Sequence, residues 1–102
     1  MTEISLNEAV VVDGWVRRKV IICNQKGLHA RAAAKFVKTV ANFDADVEVS
    51  RSGTTVGGSS IMGLMMLAAA PGCSLDIAAS GTDAESVVEA LADLVCRKFD
   101  ED

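Results

Sequence analysis

The 102-residue chain contains a single histidine, His29, in the run KGLHARAAAKF just ahead of an expected helix. That placement suits phosphoryl chemistry. The first-turn N–H groups of a helix have no intrahelical partners and point out of its end. With the helix dipole they form a ready anion site. Arg31, two residues on, can add charge-assisted hydrogen bonds to an oxyanion. A neutral imidazole, with an unperturbed pKa of about 6.5, is a competent nucleophile at neutral pH. Gly27 can let the backbone turn tightly and leave the ring exposed. Spacing alone favours a blander reading, a histidine that caps the helix or packs at the loop. No Asp or Glu lies beside His29 in sequence, so any group that orients the ring must come from elsewhere.

Ser60 opens a short apolar helix after Gly57-Gly58-Ser59. A serine there is a natural N-cap. It is also a place where an added phosphate would be tolerated by the helix end while changing surface charge sharply. Met62, Leu64, Met65, Met66 and Leu67 make this helix apolar almost all round. So short a helix cannot hide every side, and core burial and a docking patch for partners are both open. The glycine pair forms no phosphate loop, since neither G-x-x-x-x-G-K-[ST] nor G-x-G-x-x-G occurs. The scattered carboxylates suggest no acid/base dyad. One histidine excludes multi-histidine metal sites, and no metal or cofactor is implied. Cys23, Cys73 and Cys96 are odd in number and far apart. They fit neither a disulfide framework nor zinc spacing, and read as reduced, mostly buried thiols.

The elements that must position these residues follow from periodicity. WVRRKVIIC, residues 15–23, reads as a strand with Val16, Arg18, Val20 and Ile22 on one face. Arg17, Arg18 and Lys19 form a basic cluster near its start, read as a solvated strand end. Ala33, Phe36, Val37, Val40 and Ala41 recur at helical spacing, predicting a helix over 30–43. Residues 45–50 alternate as a strand, Arg51-Ser52-Gly53 turns, and Thr54-Thr55-Val56 pairs back. The apolar helix is expected from about Ser60 to Leu67, ended near Pro71-Gly72. A strand follows over 74–80. Thr82 and Glu85 fit a capping box for a last helix from about Asp83 to about Phe99. Asp100-Glu101-Asp102 is expected to fray. Residues 1–15 read as a partly ordered N-terminal extension, able to lie along the domain as a short edge strand, with the main domain over 16–102. The order β-α-β-β-α-β-α gives an α+β two-layer sandwich.

Composition bounds the rest. Hydrophobic residues make up 50% and charged residues 24%, ordinary for a soluble globular domain. A net charge of -4 disfavours a dedicated nucleic-acid binder. No apolar stretch reaches the roughly 18 residues of a membrane span. The acidic start does not suit a signal peptide, so a cytoplasmic protein is the expectation.

GLHARAAAKFV, followed about thirty residues later by SSIMGLMML, resembles the HPr family. These are the small histidine phosphocarrier proteins of the bacterial phosphoenolpyruvate-dependent phosphotransferase systems. The resemblance runs from about Lys19 to about Phe99. It implies an open-faced β-sandwich, a four-stranded antiparallel sheet with three helices on one face. It implies that His29 carries the phosphoryl group on Nδ1, that Arg31 neutralises it, and that Ser60 matches a serine modified by a dedicated kinase in some bacteria. Phosphate would come from Enzyme I and pass to an EIIA-type acceptor, with an HPr kinase/phosphorylase as a further partner. The helix after Ser60 would supply docking surface through Met62, Leu64, Met65 and Met66, on a monomeric carrier. Such a protein is a substrate-like relay, with no small-molecule pocket of its own.

Three departures stand out. The family usually has proline after the arginine, and here Ala32 restores an N–H and loosens the turn. The residue before the serine is often lysine, and Ser59 removes that charge. The first 15 or so residues extend beyond the usual family start. Two other readings compete with the relay. One is a regulatory binding module that docks targets through the Met-rich helix without phosphate turnover. The other is a small-ligand-binding α+β domain. Within the relay, sugar-uptake and nitrogen-related branches both stand, and the departures lean toward regulation.

Overall fold

Val16 and Val20, Val47 and Val49, Leu75 and Ile77 occupy alternate positions of three strands, and this spacing decides which face of the sheet is covered. The structure is a computed structural model and describes residues 10–101. Its strands are β1 (Val10–Val12), β2 (Trp15–Ile21), β3 (Asp46–Arg51), β4 (Thr54–Gly57) and β5 (Ser74–Ser80). Its helices are α1 (Ala30–Val40), α2 (Ile61–Met66) and α3 (Ala84–Cys96). The sheet order is β1-β2-β5-β3-β4, with every neighbouring pair antiparallel. The three helices make it an open-faced α+β sandwich.

The sheet has five strands among the described residues, where four were expected. The extra one is β1, an edge strand that turns through Asp13-Gly14 so that Val12 pairs with Trp15. Residues 1–9 of the expected extension lie outside the described residues.

The two long helices each end earlier than their apolar pattern. α1 stops at Val40, and residues 41–45 turn toward β3. α3 stops at Cys96, yet Phe99 is still fully buried, carried inward by a left-handed turn at Lys98–Asp100 in which all three φ angles lie between 56° and 60°. The Thr82–Glu85 capping box does not form. Asp83 holds the N-cap position without a side-chain bond to the helix, and its carboxylate accepts from the Asp44 N–H at 2.7 Å. That contact ties the start of α3 to the turn before β3. The core runs between sheet and helices, with Phe36, Leu64, Leu91 and Phe99 fully buried. The cysteines depart from the expected burial, since Cys23 and Cys96 are exposed and only Cys73 is part-buried. Cys23 lies past the end of β2, and Cys96 on the solvent side of the last turn of α3.

Candidate functional site

His29 is the N-cap residue of α1, with extended backbone, and its carbonyl accepts the first helical hydrogen bond from Ala33 N–H at 2.8 Å. Its ring does not cap the helix. Three of the helix's early N–H groups therefore stay available beside it. One belongs to Ala32, where a proline would have had none.

The ring turns instead to Glu101. The Nε2 atom of His29 is hydrogen-bonded to Glu101 Oε2, and the ring remains about a quarter exposed. The other carboxylate oxygen, Oε1, accepts from the Asn24 amide at 2.9 Å. Asn24 is fully buried, and its amide also donates to the Gly27 carbonyl at 2.8 Å. Flipping that amide would set its oxygen against two acceptors, so the hydrogen-bond pattern fixes its orientation. Partial burial pushes the Glu101 carboxyl up, but the hydrogen bonds from Asn24 and His29 outweigh it and hold the group below the usual carboxylate range. At neutral pH Glu101 is thus ionised and can only accept. The Nε2 atom carries the proton, and in the neutral ring the electron pair lies on Nδ1.

Two loops hold this arrangement. Gly27 has φ +67° and packs on the chain leaving α2, where Leu28 N–H donates to Ala69 carbonyl at 2.9 Å. At the other side, Lys35 of α1 donates to the Phe99 carbonyl at 2.6 Å. An open groove beside the ring is lined by Gln25, Lys26, Arg31, Lys35, Asp100 and Glu101. Arg31 is exposed there, and no ion pair engages it among the described residues. Three cations thus border a site able to receive an anion.

Ser60 caps α2, with its hydroxyl accepting from Gly63 N–H at 2.9 Å, and it stays exposed. Beyond it the α2 residues divide. Met62 and Met66 are about three-quarters exposed and Met65 is 43% exposed. Leu64 is fully buried, which removes it from the expected docking surface; it faces the core because α2 must anchor one side. The Leu28–Ala69 hydrogen bond ties the chain leaving α2 to the loop that leads into His29.

Residues 16–97 match the family model described as the PTS HPr component phosphorylation site. The chain belongs to the HPr family. It is 42% identical over 86 residues to the phosphocarrier protein HPr of Neisseria meningitidis, covering 84% of this chain and 97% of the relative. It is 37% identical over 86 residues to the phosphocarrier protein NPr of Shewanella violacea, covering 84% and 94%. The crystal structure of an HPr from Thermoanaerobacter tengcongensis superposes with a TM-score of 0.81 at 38% identity, covering 84% of this chain and 97% of that one. The chain is therefore a phosphocarrier of the phosphotransferase-system type. Among the described residues no helix is long and apolar enough to cross a membrane.

Sequence reasoning singled out His29, Arg31 and Ser60 but missed Asn24 and Glu101. Asn24 reads as a turn residue and Glu101 as part of a frayed tail. The available signal was indirect: a reactive imidazole calls for an orienting acceptor, and none stands near it in sequence.

Proposed function

We propose that His29 is the phosphoryl-carrying residue, accepting phosphate on Nδ1 from Enzyme I and passing it to an EIIA-type acceptor. The observation that carries this reading is the Nε2 bond to Glu101, which leaves Nδ1 as the nitrogen with the free electron pair on the N-cap residue of α1. Arg31, with the early α1 N–H groups, meets the charge of the bound group. The exposed Met62, Met65 and Met66 supply apolar docking area for both partners. Ser60, exposed at the head of that patch, is the regulatory site, where a phosphate would add about two negative charges to the docking face.

The test is incubation with phosphoenolpyruvate and Enzyme I, followed by assay of acid-labile phosphate. Wild type should be labelled and His29→Ala should not. Label persisting in His29→Ala refutes the assignment. For Ser60, incubation with ATP and an HPr kinase should give acid-stable phosphate that is absent from Ser60→Ala.

A further inference from the structure

The chain invests unfavourable backbone geometry in its last described residues. Lys98, Phe99 and Asp100 are three successive non-glycine residues with φ near +60°. Left-handed geometry costs each roughly 1–2 kcal/mol. The turn is held by burial of Phe99, by the Lys35 bond to its carbonyl, and by the Arg97–Asp100 ion pair at 3.0 Å. Its result is to set Glu101 against a ring 72 positions away in sequence. Asn24, buried in the loop before α1, donates from its amide to the second carboxylate oxygen. The loop before α1 and the turn after α3 thus converge on one side of the imidazole.

We propose that Glu101 is the positioning residue of the relay: docked by Asn24 and the Lys98–Asp100 turn, its carboxylate holds the Nε2 proton of His29 and so presents the Nδ1 electron pair for transfer. This rests on the assignment of His29 above. In the step, the Nδ1 pair forms the bond to phosphorus. The bond from phosphorus to the donor breaks, and its electron pair leaves with the donor. The ring keeps its Nε2 proton and gains one positive charge. Glu101 faces that charge and offsets it without itself changing protonation. An acid beside an imidazole can both fix the tautomer and stabilise the imidazolium. On the return step the pair goes back to Nδ1 and the ring is neutral again. Glu101 touches neither phosphorus nor partner and acts through the ring. The other charged groups facing this assembly are Lys26 from the loop, Arg31 and Lys35 from α1, and Asp100 from the turn.

The experiment compares full-length wild type, Glu101→Ala, Glu101→Gln and Glu101→Asp. Ring 15N chemical shifts of His29, taken where the ring is neutral, report the tautomer. Rapid-quench labelling with phosphorylated Enzyme I reports transfer, and circular dichroism checks the fold. Wild type should be predominantly the Nε2–H tautomer and Glu101→Ala a mixture. Loss of one charge-assisted hydrogen bond should slow transfer by about tenfold or more in Glu101→Ala and Glu101→Gln. Glu101→Asp should recover part of the rate. Wild-type tautomer and rate in Glu101→Ala overturn the proposal. So does slower transfer with an unchanged tautomer, which would place the carboxylate's effect on docking. If His29→Ala is unlabelled while Glu101→Ala transfers normally, this inference alone fails. If His29→Ala is labelled, the underlying assignment fails.

Discussion

Gly27→Ala should damage both the fold and the site, because the position is constrained twice. Its φ of +67° disfavours any side chain. A Cβ built there would stand 2.4 Å from the Ala69 carbonyl oxygen and 3.1 Å from Ala70 Cα. Both are backbone atoms, so no rotamer change relieves the clash. The same carbonyl oxygen accepts the Leu28 N–H, so moving it away breaks the bond that joins the His29 loop to the end of α2. The conformational cost is roughly 1–2 kcal/mol, and forced overpacking adds about 1–3 kcal/mol. Reduced freedom of the unfolded chain returns about 0.4–1 kcal/mol. The balance is a loss of about 1–5 kcal/mol.

Gly53→Ala is the matched control. Gly53 also has a positive φ, +84°, but a Cβ there meets nothing within 4 Å. It should lose only about 1 kcal/mol, the backbone part alone. Urea unfolding of both variants measures the difference, and amide chemical shifts around His29 and residues 68–70 show whether the loop has moved. Equal destabilisation of the two variants would refute the close-approach argument, leaving only the shared cost of a left-handed alanine.

Three further outcomes follow from the same geometry. Leu64→Ala should cost about 2–5 kcal/mol as a core truncation, whereas Met62→Ala and Met66→Ala should stay within about 0.5 kcal/mol and weaken partner binding instead; urea titration and calorimetric titration with Enzyme I separate the two classes. Ser60→Ala should cost about 1 kcal/mol through loss of the α2 cap, and a stability equal to wild type in thermal unfolding would mean the Gly63 bond contributes nothing. The Glu101 carboxyl is held below its ordinary value of 4.5, so its contribution is fully present above that pH and is lost as pH falls through the lower folded-state value. The stability gap between wild type and Glu101→Gln should therefore shrink as pH falls below 4.5; a gap that persists undiminished through that acid range contradicts the assigned direction.

Periodicity made the sheet readable. Residues 45–50 and 74–77 alternate between apolar and polar positions, as a sheet with one covered face requires; Ala78 breaks the pattern in β5, buried beside Ala79 in the middle strand of the sheet. The same argument located α1 and α3 but misjudged their ends. Phe99 fits the apolar stripe of α3 and is indeed buried, but it reaches the core through a left-handed turn. Periodicity reports which side chains want burial; it does not report the backbone path that delivers them. Leu64 and Met65 are adjacent and both apolar, and only packing against the core separates the fully buried one from the half-exposed one. His29 and Arg31 were legible as candidates because the chemistry proposed for them depends on a local feature, the start of a helix. Glu101 was not, because its meaning lies in a contact spanning 72 positions. A charged terminal run carries no pattern from which such a contact can be inferred.

The distribution of charge around the ring bears on why a relay would be built this way. Lys26, Arg31 and Lys35 line the groove together with Asp100 and Glu101, an excess of one positive charge among its lining residues. In the proposed step the ring gains one positive charge, and the phosphoryl group brings about two negative ones. The loaded site then lies near neutrality, and the empty site is only slightly positive. Without the two carboxylates the cations would hold the phosphoryl group strongly and oppose its departure. Without the cations the group would be repelled on arrival. A carrier has to release what it accepts, so its site must not favour one state by many kcal/mol. On this argument the carboxylates belong to the transfer equilibrium as much as the arginine does. Removing one should change the balance between loading and unloading as well as their rates.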